Sequence, residues 1–455
     1  MISKITRIGN GQGFWGDSID APIQLLKNGN IDYLTLDYLA EVTMSIMQRQ
    51  KLKNPDAGYA KDFVEMIESS LNIIKENSVK IISNAGGVNP KSCSEKLVQV
   101  ANKLGHKLKI GIIEGDDIFD KIDQFISQGV TFENLETGES FDRIREKVTS
   151  ANVYINSFPI AEALELGAEI VLAGRVSDPG LVLGPTIYEF GWVKENINRL
   201  ASGTLAGHVL ECGAQCTGGN YSKWWKVPDL ANIGYPIVEI NSTGDFIITK
   251  QDQSGGLVNR ETVCEQILYE MGNPQKYISP DVCVDFTSFE LEDLGHNRVH
   301  ISNVKGFKET DTYKVAISYF AGYKASGQLT ISGPDAMEKA KKTAEIIWER
   351  LKNANCVYED TQTEFLGVNS CHKDIVDISK NINEVVLRLG VKDKNKEKVN
   401  RFGKELAPVI TNGPPGITGF SGGRPKAQPI VAYWPTLIPK NLIKTTVSII
   451  KTEKG

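Results

Sequence analysis

Three short runs, Lys80–Ser83, Lys109–Ile113 and Ile170–Ala173, set apolar residues side by side rather than alternating them with polar ones, and stretches with helical spacing of apolar residues lie between them. A strand with one wet face alternates apolar and polar residues, whereas a strand covered by helices on both faces has no reason to. Strands that alternate with helices are joined by crossovers, the connection a parallel sheet needs. The first half of the chain is therefore predicted to be an α/β, doubly wound, mostly parallel sheet. Strands are expected at Ile2–Ile8, Tyr33–Leu36, Val79–Ser83, Leu108–Ile113, Val153–Ile155 and Glu169–Ala173. Helices are expected at Asp20–Asn28, Leu39–Gln50, Phe63–Lys75, Ser94–Leu104, Ile118–Gln128 and Ile160–Leu166. In the first helix Asp20 suits the cap, Pro22 the opening turn and Gly29 the end.

Beyond Pro236 the texture changes to period-two and β-branched stretches such as Phe246–Thr249, Arg298–Ser302 and Gly327–Ser332, followed by an amphipathic helix over Pro334–Asn353. This predicts a C-terminal α+β domain built on an antiparallel sheet. The expected division is 1–230 for the doubly wound domain and 231–455 for the second, with a glycine-rich loop near 412–425. Composition narrows the class. A net charge of -5 argues against sequence-blind binding to nucleic acid. No run approaches the ~20 apolar residues of a membrane span, and the opening MISKITRIGN lacks an apolar signal core. Seven cysteines, an odd number in a long chain, fit reduced thiols better than a disulfide framework. A cytoplasmic enzyme, by default a homo-oligomer, is the expectation.

In an open parallel sheet, ligands lie beyond the C-terminal ends of the strands. Polar clusters fall there repeatedly: Gly9–Asp17, Asp37 to Glu41, Asn84 to Pro90, Glu114 to Asp117, Asn156, and Gly174 to Asp178. Gly11, Gly13 and Gly16 match a G-x-G-x-x-G pattern, with Asp37 where a ribose-binding acid would stand. Phe14, Trp15 and Asp17 speak against a pyrophosphate, so the loop is either a nucleotide or CoA phosphate site, an oxyanion site or an ordinary tight turn. Asn84, Gly86 and Gly87 offer an amide and open backbone for an oxyanion, or simply a strand-to-helix turn. Arg175 either forks onto a ligand anion or pairs internally with Asp178.

The stretch Leu205–Tyr221, LAGHVLECGAQCTGGNY, is the densest in chemistry. Glu211 follows His208 by three positions and shares its helical face, so the two form a candidate acid/base pair with Glu211 orienting the imidazole. Cys212 is a candidate nucleophile, the alternative being a small core residue. With five histidines in the chain and no second Cys/His cluster nearby, no metal site is expected. Arg424, in the late glycine-rich loop, is a candidate anion clasp, while Trp434 reads as packing.

These motifs give the chain a resemblance. G-x-G-F-W-G-D-S-I-D-A-P at Gly11–Pro22, L-D-Y-L-A-E at Leu36–Glu41, N-A-G-G-V-N-P at Asn84–Pro90, G-R-V-S-D at Gly174–Asp178, A-G-H-V-L-E-C-G-A-Q-C-T-G-G at Ala206–Gly219 and G-G-R-P…Q-P-I-V-A-Y-W-P-T-L at Gly422–Leu437 resemble the acyclic terpene utilisation (AtuA) family. The resemblance implies a role among proteins that degrade citronellol- and geraniol-type acids as CoA thioesters. It carries over no catalytic residues.

The combined expectation is an enzyme of carboxylate or acyl-CoA catabolism working by proton transfer, as an isomerase, hydratase or lyase. It would hold no cofactor tightly, and a CoA thioester is the candidate substrate moiety. His208, Glu211 and Cys212 are the candidate catalytic groups. Gly11, Gly13, Asp17, Asp37, Asn84, Gly86, Gly87, Arg175, Asp178 and Arg424 are the candidate substrate-binding groups. The alternatives are an NAD(P)-dependent oxidoreductase, favoured by the glycine pattern, and a non-catalytic accessory subunit of an acyl-CoA pathway.

Overall fold

The computed structural model describes residues 4–368, 370–372, 382–419 and 422–452. The first strands are β1 (Ile5–Gln12), β2 (Tyr33–Leu36), β3 (Lys80–Ser83), β4 (Lys109–Glu114), β5 (Val148–Val153) and β6 (Ile170–Leu172). Next come β7 (Pro236–Asn241), β8 (Phe246–Lys250), β9 (Tyr277–Ile278), β10 (Cys283–Asp285), β11 (Glu290–Gly295), β12 (Arg298–Ser302) and β13 (Lys305–Phe307). The last are β14 (Thr312–Ser332), β15 (Asp360–Leu366), β16 (Glu384–Asp393), β17 (Ile417–Gly419), β18 (Gln428–Pro439) and β19 (Thr446–Lys451).

The apolar runs form the middle of a large mixed sheet. Its order is β11-β12-β8-β7-β1-β2-β3-β6-β4-β19, and β1, β2, β3, β6 and β4 run parallel. Ile81, Ile82, Ile110, Ile170, Val171 and Leu172 are fully buried, as strands shielded on both faces should be. On one face lie helices Ala21–Asn28, Lys61–Glu76 and Pro90–Lys103, whose Leu25, Phe63, Ile67, Leu71 and Leu97 join one hydrophobic core with Leu34 and Ile81. The other face is covered by Phe158–Glu165, Gly180–Phe190 and Ile197–Glu211.

The antiparallel stretches after Pro236 exist, but the first of them extend this sheet. β7 pairs antiparallel with β1, and β8, β12 and β11 follow outward. β19 closes the opposite edge against β4. The chain falls into two compact units, Met1–Ser318 with Tyr433–Gly455, and Tyr319–Ala432. The change of texture near residue 230 therefore marks the antiparallel flank of the first unit. An unpaired edge at β1 invites a further strand, and β7 supplies it.

The second unit is the α+β part, with sheet order β15-β16-β14-β17. One face packs on helices Ala336–Asn353 and Lys396–Gly403 through Leu329, Ala340, Ile347, Leu387, Leu389 and Phe402. The other face is polar.

Candidate functional site

Helix Ile197–Glu211 carries the densest motif and is buried on all sides from Leu200 to Leu210. Small residues make that possible. A Cβ on Gly207 would stand 2.4 Å from the Pro179 carbonyl oxygen and 2.6 Å from its Cα, so only glycine lets the helix lie this close. The close approach sets His208 in the interior, 1% exposed, beside the stacked rings of Tyr277 and Phe286 at 5.4 and 5.3 Å.

Both imidazole nitrogens are occupied. Nε2 lies 3.3 Å from the Ile267 carbonyl oxygen and Nδ1 3.1 Å from Glu211 Oε1. A carbonyl only accepts, so Nε2 carries a hydrogen, and one further proton is shared between Nδ1 and Oε1. His208 does not reach the cleft beside it; Glu211 does. The carboxyl, rather than the imidazole, is the member of the pair placed at the cleft. Glu211 Oε2 is buried and accepts no hydrogen bond. Burial pushes Glu211 up to about 7, against the downward pull of His208. Burial works to lower the imidazole, but the charge and hydrogen bond of Glu211 carry its pKa upward.

The cleft has a volume of about 560 Å³ and lies wholly within the first unit. Gly13, Asp17, Asp37, Arg175, Asp178, Glu211 and Cys212, all singled out from sequence, line it. Asp37, at the end of β2, is 4% exposed. Its Oδ1 accepts from Asn84 Nδ2 at 2.7 Å and from the Leu39 amide at 3.0 Å. Burial and the charge of Asp178 raise it to about 8, resisted by Arg175 and Asn84. Oδ2 is then the oxygen left to hold a proton near neutrality. Asn84 thus positions Asp37, and its own Oδ1 accepts from the Tyr38 amide at 2.7 Å.

Arg175 is 2% exposed and tied down. Its guanidinium donates to the Leu39 carbonyl at 2.7 Å, pairs with Asp178 at 2.7 Å and stacks 4.2 Å over the Tyr154 ring. The internal pair is what forms. Cys212 sits in the cleft wall as a thiol, since burial and the Glu211 charge push it up to about 12. That is the reverse of what a nucleophile needs.

The glycine pattern is spent on packing. β1 runs on to Gln12, so Gly11 lies in a strand, where a Cβ would stand 2.9 Å from Pro22 Cα. A Cβ on Gly13 would stand 2.8 Å from the Cys212 carbonyl carbon. The amide that a phosphate would seek is already taken. Gly13 N–H donates to Asp17 Oδ2 at 2.9 Å, and Asp17 also accepts from the Ser18 amide at 2.7 Å and from Tyr235 Oη at 2.5 Å. The chain's own carboxylate fills the anion position of a dinucleotide fingerprint. Gly86 and Gly87 are buried in a turn, tight against Pro90 and the Met47 sulfur, and do not line the cleft. Arg424 lies in the second unit, exposed, on a different cleft. Residues 420 and 421 of its glycine-rich loop lie outside the described residues. Trp434 is packed, 2% exposed, donating to the Phe132 carbonyl at 2.9 Å.

Phe14, read from sequence only as an obstacle to a pyrophosphate, also lines the cleft, as do Tyr235, Tyr269 and Glu270, which were not singled out from sequence. Tyr235, Tyr269 and Glu270 come from beyond residue 230, where the altered texture drew attention away from the strand ends. The local signal was present only for Tyr235, one residue before the strand that pairs with β1.

A model of the acyclic terpene utilisation family protein AtuA matches residues 6–449. No curated protein sequence matches the chain. Crystal structures of Staphylococcus aureus (S. aureus) homoserine dehydrogenase at pH 7.5 and pH 6.5 align at 9% identity over 92% of this chain and 83% and 84% of theirs. The TM-scores, 0.13 and 0.12, are too low to carry an argument.

Proposed function

This chain belongs to the acyclic terpene utilisation family, and we propose that its cleft moves a proton on a branched, unsaturated acyl intermediate, with Glu211 as the group that meets the substrate. The observation that carries this is Glu211, a cleft-lining residue whose Oε1 is held by His208 and whose Oε2 is buried without a hydrogen-bond partner. A carboxyl with a pKa of about 7 is populated in both forms at neutral pH, the condition for efficient general acid–base work. Glu211 Oε2 takes a proton from carbon beside or conjugated with the carbonyl, and the electron pair passes to the carbonyl oxygen. The same oxygen returns the proton at another carbon, so the double bond moves and no oxidant or reductant is consumed. Asp37, held as a neutral acid, donates its O–H to the developing oxyanion, a role that suits a carboxylic acid in an apolar setting.

The charge of the cleft selects the substrate form. Besides Asp37 and Glu211, the cleft lining carries Asp17, Asp178 and Glu270 against one guanidinium that is already paired. A free carboxylate is repelled there, whereas the neutral carbonyl of a thioester is not. The reading therefore favours an acyl thioester, handled in the cytosol with no tightly bound cofactor.

The test is deuterium wash-in. Wild-type protein incubated in D2O with branched unsaturated acyl thioesters is expected to place deuterium beside the carbonyl or at the end of the conjugated system. Glu211→Gln should lose roughly 100-fold or more in that rate with an unchanged circular dichroism spectrum. No exchange by wild type across the panel, or an undiminished rate in the variant, contradicts the reading.

A further inference from the structure

In the second unit, β14, β16 and β15 stack three rows of side chains on the polar face of the sheet. Lys324 faces Lys392, which faces Asp360; Ser326 faces Gly390, which faces Gln362; and Gln328 faces Arg388, which faces Glu364. Two features of this face work against the stability of the strands. Lys324 and Lys392 are like charges directly opposite each other, a destabilising cross-strand pair. Gly390 sits inside the central strand, where glycine forfeits side-chain packing.

Neither conformation nor crowding requires that glycine. Its φ is outside the left-handed region, and a Cβ there would meet only Gln362 Cβ at 3.6 Å and the Ala325 carbonyl oxygen at 4.0 Å, ordinary contacts. What the glycine supplies is depth. It forms the floor of a cleft of about 530 Å³, walled by Lys324, Ser326, Arg388, Lys392 and Lys426. Asp360 and Glu364 are the acidic members of the lining, and Glu364 is bound by Arg388. A second cleft of about 640 Å³ shares Ser326, Lys426 and Gln428 with the first and adds Arg424 and the backbone of Gly422 and Gly423.

We propose that this glycine-floored, lysine-walled groove binds a ligand bearing two or more phosphoryl groups. Facing lysines that repel each other are relieved by an anion between them, and phosphoryl oxygens accept from several ammonium donors at once. The run of cations from Lys324 and Lys392 through Lys426 to Arg424 extends past what a single phosphate would use. The site stands in the second unit and depends on nothing in the Glu211 reading.

Isothermal titration of the full chain with inorganic phosphate, pyrophosphate and a nucleoside diphosphate tests it. Pyrophosphate is expected to bind more tightly than phosphate and less tightly as salt is raised. Gly390→Val should cost roughly tenfold or more in that affinity while melting at or above the wild-type temperature, since valine suits a strand and only fills the floor. Lys392→Gln should lose a similar factor and flatten the salt dependence. A nucleoside diphosphate that outbinds pyrophosphate marks the ligand as a nucleotide; equal binding marks the diphosphate itself, and either supports the site. Absence of binding by all three at about millimolar concentration, or wild-type affinity in Gly390→Val, overturns it.

Discussion

His208 Nδ1 lies 3.1 Å from Glu211 Oε1, one turn along the same buried helix, and this contact decides which of the two faces the cleft. The imidazole is closed off by Ile267 on its other nitrogen, so the oxygen of the pair left without a partner is the buried Glu211 Oε2. The pair lies deep enough that both members titrate above their ordinary values, Glu211 through burial and His208 through the charge and hydrogen bond of Glu211.

His208→Gln should act through Glu211. The histidine's charge and hydrogen bond both lower the Glu211 pKa, so their removal raises it above about 7. The rising limb of the pH–rate profile for exchange should move to higher pH, with a loss of roughly 10-fold or more at neutrality. A lower rate with an unmoved limb would show a merely structural role.

Asp37→Asn should change the pH dependence of stability. The Asp37 carboxyl is raised from 3.8 to about 8 on folding, so its contribution is complete below pH 4 and is lost as pH rises through about 8. Asparagine does not ionise, and the variant should gain on wild type across that window by at most about 1.4 kcal/mol per pH unit. Thermal melts between pH 5 and 9 check this; a constant offset between the two proteins contradicts it.

Gly207→Ala tests the packing that carries His208 inward. Helix propensity alone would favour alanine by about 1 kcal/mol, but the added carbon meets the Pro179 backbone at 2.4 and 2.6 Å. A net loss of about 1–3 kcal/mol is expected in urea denaturation. A gain would show that the two helices can separate without cost.

Cys212→Ser should keep most of the exchange rate, because a thiol pushed up to about 12 is not a thiolate near neutrality. Alkylation by iodoacetamide at pH 7.5 should label the exposed Cys371 well before Cys212. A large loss of rate in the serine variant, with the fold intact, would restore the nucleophilic role.

The central sheet was legible because burial on two faces leaves a one-dimensional mark, as in Lys80–Ser83 and Ile170–Leu172. The gathering of Asp37, Arg175 and Asp178 was legible for a related reason, since each follows a strand of the same sheet. Spacing along a helix could pair His208 with Glu211 but not say which one meets solvent, because that depends on Ile267, 59 residues away. Sequence left Arg175 open between a ligand anion and an internal pair with Asp178, because the Leu39 carbonyl that also holds it is 136 residues distant. The glycine pattern misled in the same way: Asp17, four residues past Gly13, folds back onto the amide that a phosphate would take.

The protonation of Glu211 is measured most directly by infrared difference spectroscopy of the carboxylic C=O stretch, titrating wild type against Glu211→Gln. A band present in wild type alone, disappearing with a midpoint at about 7, is the expected result. A midpoint at the ordinary glutamate value of 4.5 would mean that the cleft holds a plain carboxylate, and the proton-transfer reading would fail.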